Sequence, residues 1–269
     1  MLDFKLPTRA NELRKRILEV IYNAGGGHIA GAFSAVEIIS TLYGRILNVD
    51  PKNPDWPGRD YFVLSKGHSC MAQYVVLAEL GFFPDAYLDT FVKPGTKLAG
   101  HVTRGLPGIE LSTGSLGHGF PMSVGIAYGL QFDKKPNRVF AVLSDGECQE
   151  GSTWEAAMSA SSFDLDNLVA IVDYNKYQSC APVIEVLKSF EPFAEKWRAF
   201  GWEVREVDGH DPDALTDVLK SVPFTKGKPS VVIAHTIKGK GVSYIECVPM
   251  WHYRAPNDEE YKIALDELS

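Results

Sequence analysis

No run of apolar residues in this sequence approaches the length of a membrane span, so a bilayer-crossing helix is not expected. The first residues, Met1-Leu2-Asp3-Phe4-Lys5-Leu6-Pro7, lack a signal-type apolar region. Cysteine is scarce. Cys70, Cys148, Cys180 and Cys247 are dispersed and form no Cys-x-x-Cys pair, which reads as reduced thiols in a cytoplasmic protein. Basic clusters are short, the longest being Lys238-Gly239-Lys240, and the net charge is −7, which argues against a nucleic-acid surface. Neither an internal repeat nor a low-complexity linker interrupts the chain.

What is present is the composition of an ordinary globular protein. The 269 residues are 45% apolar, enough to bury a sizeable core as one large α/β domain or two small ones. Leu13, Ile17, Ile21 and Ala24 share one face of a helix expected over about Asn11–Ala24, which stops at Gly25-Gly26-Gly27. Ser34-Ala35-Val36-Glu37 has capping-box spacing and is expected to open a helix through Leu47. A helix over about Ser69–Leu80 ends at Gly81, and a small-residue helix follows Gly117-His118-Gly119. Ser152-Thr153-Trp154-Glu155 has capping-box spacing too. Apolar runs at Val139–Leu143 and Leu168–Val172 read as strands, as do segments near Trp202–Val207 and Ser230–Thr236, with a helix over Asp213–Ser221 between the last two. A short polar helix closes the chain after Asn257. This alternation predicts an α/β fold, a doubly wound, mostly parallel sheet flanked by helices. The N-terminal portion shows no strand pattern, so residues 1–269 read as one domain with a helical N-terminal elaboration.

The most informative segment runs from Ser144 to Gln178. Asp145-Gly146-Glu147 follows the first of those strands, and Asp173-Tyr174-Asn175-Lys176-Tyr177 ends the next. Asp145 and Asn175 stand thirty positions apart, each at the carboxyl end of a strand, where open α/β sheets bind ligands. A carboxylate, an amide oxygen and a backbone carbonyl form an all-oxygen set of the kind that suits Mg²⁺ bound together with a ligand's phosphates. Gly146 would let the backbone approach that phosphate, with the following helix aiming its amides at it. An isolated Asp-Gly is equally an ordinary turn.

Histidine supplies a second pattern. Five of the seven follow glycine directly: His28, His68, His101, His118 and His210. Glycine brings backbone close to a ligand, and imidazole carries protons near neutrality. Any one of them also reads as a polar loop residue. A zinc site would want a pair three to five residues apart, and none exists.

Together these residues resemble the diphosphate-binding, N-terminal half of the transketolase family of thiamine diphosphate enzymes. The family's Gly-Asp-Gly…Asn motif is similar to Ser144-Asp145-Gly146…Asn175, with Ser144 in place of the first glycine. Ala24–Glu37 resembles the Ser-Gly-His-Pro-Gly segment, with Ile29-Ala30 after the histidine. Ser65-Lys66-Gly67-His68 matches Ser-Lys-Gly-His, and Thr113–Gly119 matches Thr-Gly-Ser-Leu-Gly-Gln-Gly with His118 for the glutamine. Thr236–Gly241 and Trp251-His252 resemble the closing segment. The matches follow in order along almost the whole chain.

The resemblance implies a thiamine diphosphate-binding fold, its diphosphate-side (PP-type) domain. It implies thiamine diphosphate with Mg²⁺ (or Ca²⁺ or Mn²⁺) held by Asp145, Asn175 and the Tyr177 carbonyl. It places His68, Gly114, Gly146, Glu147 and Lys238 at the cofactor, with His118 on its pyrimidine side, Leu116 packed against its bent form, and Glu150 in a carboxylate network linking two cofactor sites. His28, His101 and His252 would line the donor channel as catalytic groups. The activity implied is transfer of a two-carbon ketol unit from a ketose (phosphate) to an aldose. A complete transketolase is more than twice this length, and nothing after Trp251 reads as its pyrimidine-binding half. The expected assembly is therefore a split enzyme, a heterotetramer with a pyrimidine-binding partner chain, which uses small sugars and binds neither nucleic acid nor membranes. A 2-oxo acid dehydrogenase α chain, an acyloin-forming ligase and a non-catalytic cofactor-binding remnant are the alternatives.

Overall fold

The computed structural model describes residues 6–179 and 181–269; Met1–Lys5 and Cys180, which entered the reading of the N-terminus and of the thiols, lie outside them. Five parallel strands form the central sheet: β1 (Tyr61–Leu64), β2 (Val139–Ser144), β3 (Leu168–Tyr174), β6 (Glu203–Asp208) and β7 (Ser230–His235), in the order β1-β2-β3-β7-β6. A short antiparallel pair, β4 (Tyr177–Gln178) and β5 (Ala181–Pro182), sits outside the sheet. The apolar runs are continuous because both faces are buried. Phe140, Val142, Val169 and Ile171 point into one core with α1 (Leu6–Ala24), α2 (Ile29–Ser34), α3 (Val36–Thr41) and α4 (Cys70–Glu79). Their neighbours Val139, Ala141, Leu168 and Ala170 point into the other, with α5 (Gly119–Phe132) and α6 (Gly151–Ser162). The short α7 (Val183–Val186) and α8 (Phe193–Ala199) follow β5, α9 (Pro212–Lys220) joins β6 to β7, and α10 (Asp258–Glu267) ends the chain. This is the doubly wound arrangement.

The structure departs from the sequence pattern in several local details. β1 escaped the pattern reading: it is four residues long and its upstream flank is rich in proline and aspartate. The helix expected from Ser34 to Leu47 is realised as α3 followed by a π turn over Leu42–Ile46, with α2 ending at Ser34. Ser34 caps nothing, because its hydroxyl donates to Asp173 Oδ2 at 2.6 Å, while Glu37 pairs with Arg14. α6 starts at Gly151 with no side-chain cap, and Ser152 Oγ donates instead to the Gly117 carbonyl at 2.6 Å. A 3₁₀ turn over Gly146–Gln149, not α6, carries the first amides after Asp145. The capping box that does form is Asn257 with Glu260, at the start of α10. Cys70, Cys148 and Cys247 are free thiols. Among the described residues no helix is long and apolar enough to cross a membrane.

Candidate active site

The carboxyl ends of β1, β2, β3 and β7 open into a cavity of about 340 Å³. From the end of β2, Asp145 is sealed beneath it. Its Oδ1 accepts the Gly146 N–H at 2.7 Å and its Oδ2 accepts the Lys176 N–H. Burial, with the charge of Asp173 adding, pushes this carboxyl up to about 7. From the end of β3, Asn175 reaches the cavity and its Oδ1 accepts the Tyr177 N–H at 3.0 Å. A dry carboxylate held only by backbone donors is short of positive charge, and a hard cation with phosphate oxygens would supply it. Among the described residues no group of three His, Cys, Asp or Glu side chains could hold a metal alone. The side-chain and backbone oxygens of Asp145, Asn175 and Tyr177 are the hard donor type that a cation bound together with phosphate takes.

Four imidazoles share this cavity. The His28 ring centroid lies 5.3 Å from those of His68 and His101 and 5.1 Å from that of His252. Desolvation and the neighbouring positive groups depress His28 and His252 to about 4, and His68 falls well below its ordinary value. These three rings are therefore neutral at pH 7. Among the described residues the buried Nδ1 of His28 has no hydrogen-bond partner. Lys238 Nζ donates to the Ser179 carbonyl at 3.0 Å and lies 3.4 Å from His252 Nδ1.

Close backbone approach explains the glycines. A Cβ on Gly114 (φ +138°) would lie 2.5 Å from His101 Cδ2, and one on Gly67 would lie 2.6 Å from the Thr113 carbonyl carbon. Glycine at both positions lets the loop after β1 and the Thr113–Gly119 loop close on the cavity.

The structure brings together His28, His68, His101, Gly114, Leu116, Gly146, Glu150, Asn175, Tyr177, Lys238 and His252 at the cavity wall. Three expected contacts are not in that wall: Asp145, buried between Ser144 and Gly146, and two others. His118 is exposed, its Nδ1 3.1 Å from the Leu116 carbonyl, and it does not line the cavity. Glu147 is fully buried behind the wall. Its Oε1 accepts the Ser65 hydroxyl and, at 3.1 Å, the Gly117 N–H, so it ties the loop carrying Leu116 to the end of β1. Burial pushes its carboxyl up to about 7.

Sequence reasoning missed Lys66, Gly31, Ser144, Gln149, Gln178 and Ser179 in the wall. Lys66 was visible inside the Ser-Lys-Gly-His match. Its ammonium pairs with Asp173 and lies 3.3 Å from the Gly31 carbonyl. Burial works against ionisation of Asp173, but Lys66, Ser34 and Thr236 together hold its carboxyl below the ordinary range. Gln149 donates to Gln178 across the rim, a pairing without a sequence signal.

A parallel sheet with an acidic residue and an amide at adjacent strand ends, facing neutral imidazoles, defines an α/β enzyme cleft for a phosphate-bearing ligand. Comparison with known proteins makes this specific. Residues 7–264 match the family described as transketolase, thiamine diphosphate binding domain, and the chain belongs to that family.

The chain is 44% identical over 264 residues to the 6-deoxy-6-sulfo-D-fructose transketolase subunit SqwG of Clostridium sp. (strain MSTE9), covering 98% of this chain and 96% of that protein. It is 41% identical over 264 residues to an apulose-4-phosphate transketolase subunit of Phocaeicola vulgatus, covering 98% and 94%. The solved transketolase of Campylobacter jejuni superposes with a TM-score of 0.89 at 26% identity, over 99% of this chain and 43% of that one. The chain thus spans about two-fifths of the solved transketolase. Family and relatives make it a transketolase-type transferase subunit, and neither the 2-oxo acid dehydrogenase nor the ligase alternative is favoured.

Proposed function

We propose that this chain is the diphosphate-side half of a two-chain transketolase that moves a two-carbon ketol unit from a ketose phosphate, or a similar anionic ketose, to an aldose. The observation that carries the reading is the convergence of His28, His68, His101 and His252 on one cavity that also holds Asn175 and the two chain neighbours of the buried Asp145, Ser144 and Gly146. The names of the two relatives, one for a sulfonated and one for a phosphorylated sugar, support an anionic substrate.

Asp145, Asn175 and the Tyr177 carbonyl would hold Mg²⁺, or Ca²⁺ or Mn²⁺ in its place, against the diphosphate of thiamine diphosphate, with His68, Gly114, Gly146 and Lys238 around it. Bound there, the cofactor would supply the carbon nucleophile and electron sink for carbon–carbon cleavage. The protein's part is binding, orientation and proton handling. Neutral His28 and His252 each keep a lone pair and an N–H, so they accept a hydroxyl proton at one step and return it at the next. Lys238, beside His252, opposes its protonation. Leu116 would pack against the cofactor, and the Lys66–Asp173 pair is a buried, charge-balanced link beneath the cleft. Glu150, exposed at the rim, faces toward a second chain in this reading.

The partner is a pyrimidine-binding chain, two copies of each forming a heterotetramer, since closed symmetric assemblies predominate. Free thiols support a cytoplasmic setting. The test is to supply the assembled enzyme with a ketose phosphate labelled at its first two carbons and an unlabelled aldose. Label recovered in a ketose two carbons longer than the acceptor is expected. Carbon dioxide released from a 2-oxo acid, with no ketol transfer, would overturn the reading.

A further inference from the structure

His210 lies outside the cleft, yet it is bonded to the strand end that delivers Lys238 into it. The loop after β6 presses on the backbone after β7: Gly209 N–H donates to the His235 carbonyl at 2.8 Å, and a Cβ on Gly209 would lie 2.4 Å from Thr236 Cγ2. Glycine there seats the imidazole of His210 against Ile237. His210 Nε2 lies 2.8 Å from the Ile237 backbone nitrogen. A backbone amide only donates, so Nε2 accepts and carries no proton. The proton must then be on Nδ1, which faces Glu37 Oε2 at 3.1 Å. Arg14 Nη2 donates to that same carboxylate oxygen at 2.6 Å and to the Phe33 carbonyl at 2.9 Å. Arg14 and Glu37 are almost wholly buried, and their charges balance each other without any charge on the ring. The tautomer is thus fixed at both ends.

Ile237 sits between two residues that serve the cleft. Thr236 Oγ1 donates to Asp173, and Lys238 Nζ donates to Ser179 beside His252. Among the described residues the Ile237 amide has one acceptor, His210. We propose that His210 is a positioning residue: as the Nδ1–H tautomer it clamps the Ile237 amide and thereby fixes where Lys238 stands against the cofactor and His252. It never touches a ligand. Its functional consequence rests on the cleft being the cofactor site proposed above.

Glutamine places an acceptor where Nε2 stands, whereas asparagine places a donor where Nδ1 stands. His210→Gln therefore preserves the clamp and His210→Asn preserves only the link to Glu37. In the assembled enzyme with Mg²⁺, His210→Asn is expected to weaken thiamine diphosphate binding by about tenfold, the scale of one lost hydrogen bond, and His210→Gln to restore it to within about threefold. Adding Lys238→Ala to His210→Asn should cost no more than Lys238→Ala alone, because the first acts through the second. In the full chain alone, ring nitrogen-15 shifts should report the Nδ1–H form at neutral pH. The Ile237 amide should exchange faster in His210→Asn but not in His210→Gln. An Nε2–H ring, equal effects of the two substitutions, or full additivity with Lys238→Ala would overturn the proposal. If the wild-type assembly binds no cofactor, the functional reading fails by itself, and the nitrogen shifts with the Ile237 exchange still decide whether the clamp exists.

Discussion

The ammonium of Lys66 is buried against the carboxylate of Asp173 beneath the cleft, a cation and an anion both sealed from solvent. Ser34 and Thr236 donate to the same carboxylate, so one ion pair joins α2 and β3 to the segments just past β1 and β7. Removing one partner strands the other charge in the interior. Lys66→Met or Asp173→Asn should each cost about 3–5 kcal/mol, lowering the melting temperature by on the order of 10 °C. The double variant should lose less than the sum of the two. Differential scanning calorimetry on the three variants checks this.

Asp145 and Asn175 form the proposed cation floor. Asp145→Ala and Asn175→Ala should each abolish cofactor binding in the assembled enzyme, because a diphosphate without its cation meets no compensating charge. Calorimetric titration of thiamine diphosphate with Mg²⁺ present tests this, and unchanged affinity in both variants would remove the assignment. Stripping the metal with a chelator should reproduce the loss in the wild-type enzyme.

His28 and His252 line the same cavity as Asn175. Substituting alanine for either should leave cofactor affinity nearly intact and slow turnover by roughly 10²-fold or more at saturating donor, the scale of a lost proton-transfer group. Steady-state kinetics beside a cofactor titration separates the two effects.

The depressed histidines also set a pH dependence of stability. His28 and His252 have folded values near 4 against an ordinary 6.5, so between those limits the unfolded chain binds more protons than the folded one. Their contribution is fully present above pH 6.5 and is lost as pH falls toward 4. The melting temperature should drop between pH 7 and pH 5, and the drop should be shallower in a His28→Asn/His252→Asn double variant. Thermal scans across that range decide it; a slope unchanged by the two substitutions would contradict the assignment.

Much of this site was legible because its residues are tied to glycine turns and strand ends, which leave local marks. Asp145 and Asn175 follow apolar runs, and His28, His68 and His101 each follow a glycine and reach the cleft. The same mark misled at His118, which faces solvent, and it was silent about the different task of His210. Long-range bonds left no local trace. The Ser34 hydroxyl is taken by Asp173 and that of Ser152 by Gly117, so both capping-box patterns failed although the residue types fit. β1 is too short for its alternation to register and owes its place to pairing with β2. Lys66 stood in a recognised motif, but its partner lies 107 positions away, a pairing that only the folded sheet creates.

The central claim is that this chain forms one wall of a cofactor cleft and that a pyrimidine-binding chain forms the other. The most direct measurement is turnover of the purified chain with thiamine diphosphate, Mg²⁺, a ketose phosphate donor and an aldose acceptor, with and without the pyrimidine-binding chain. Product should form only when both chains are mixed. Turnover by this chain alone at a rate comparable to the mixture would contradict the account.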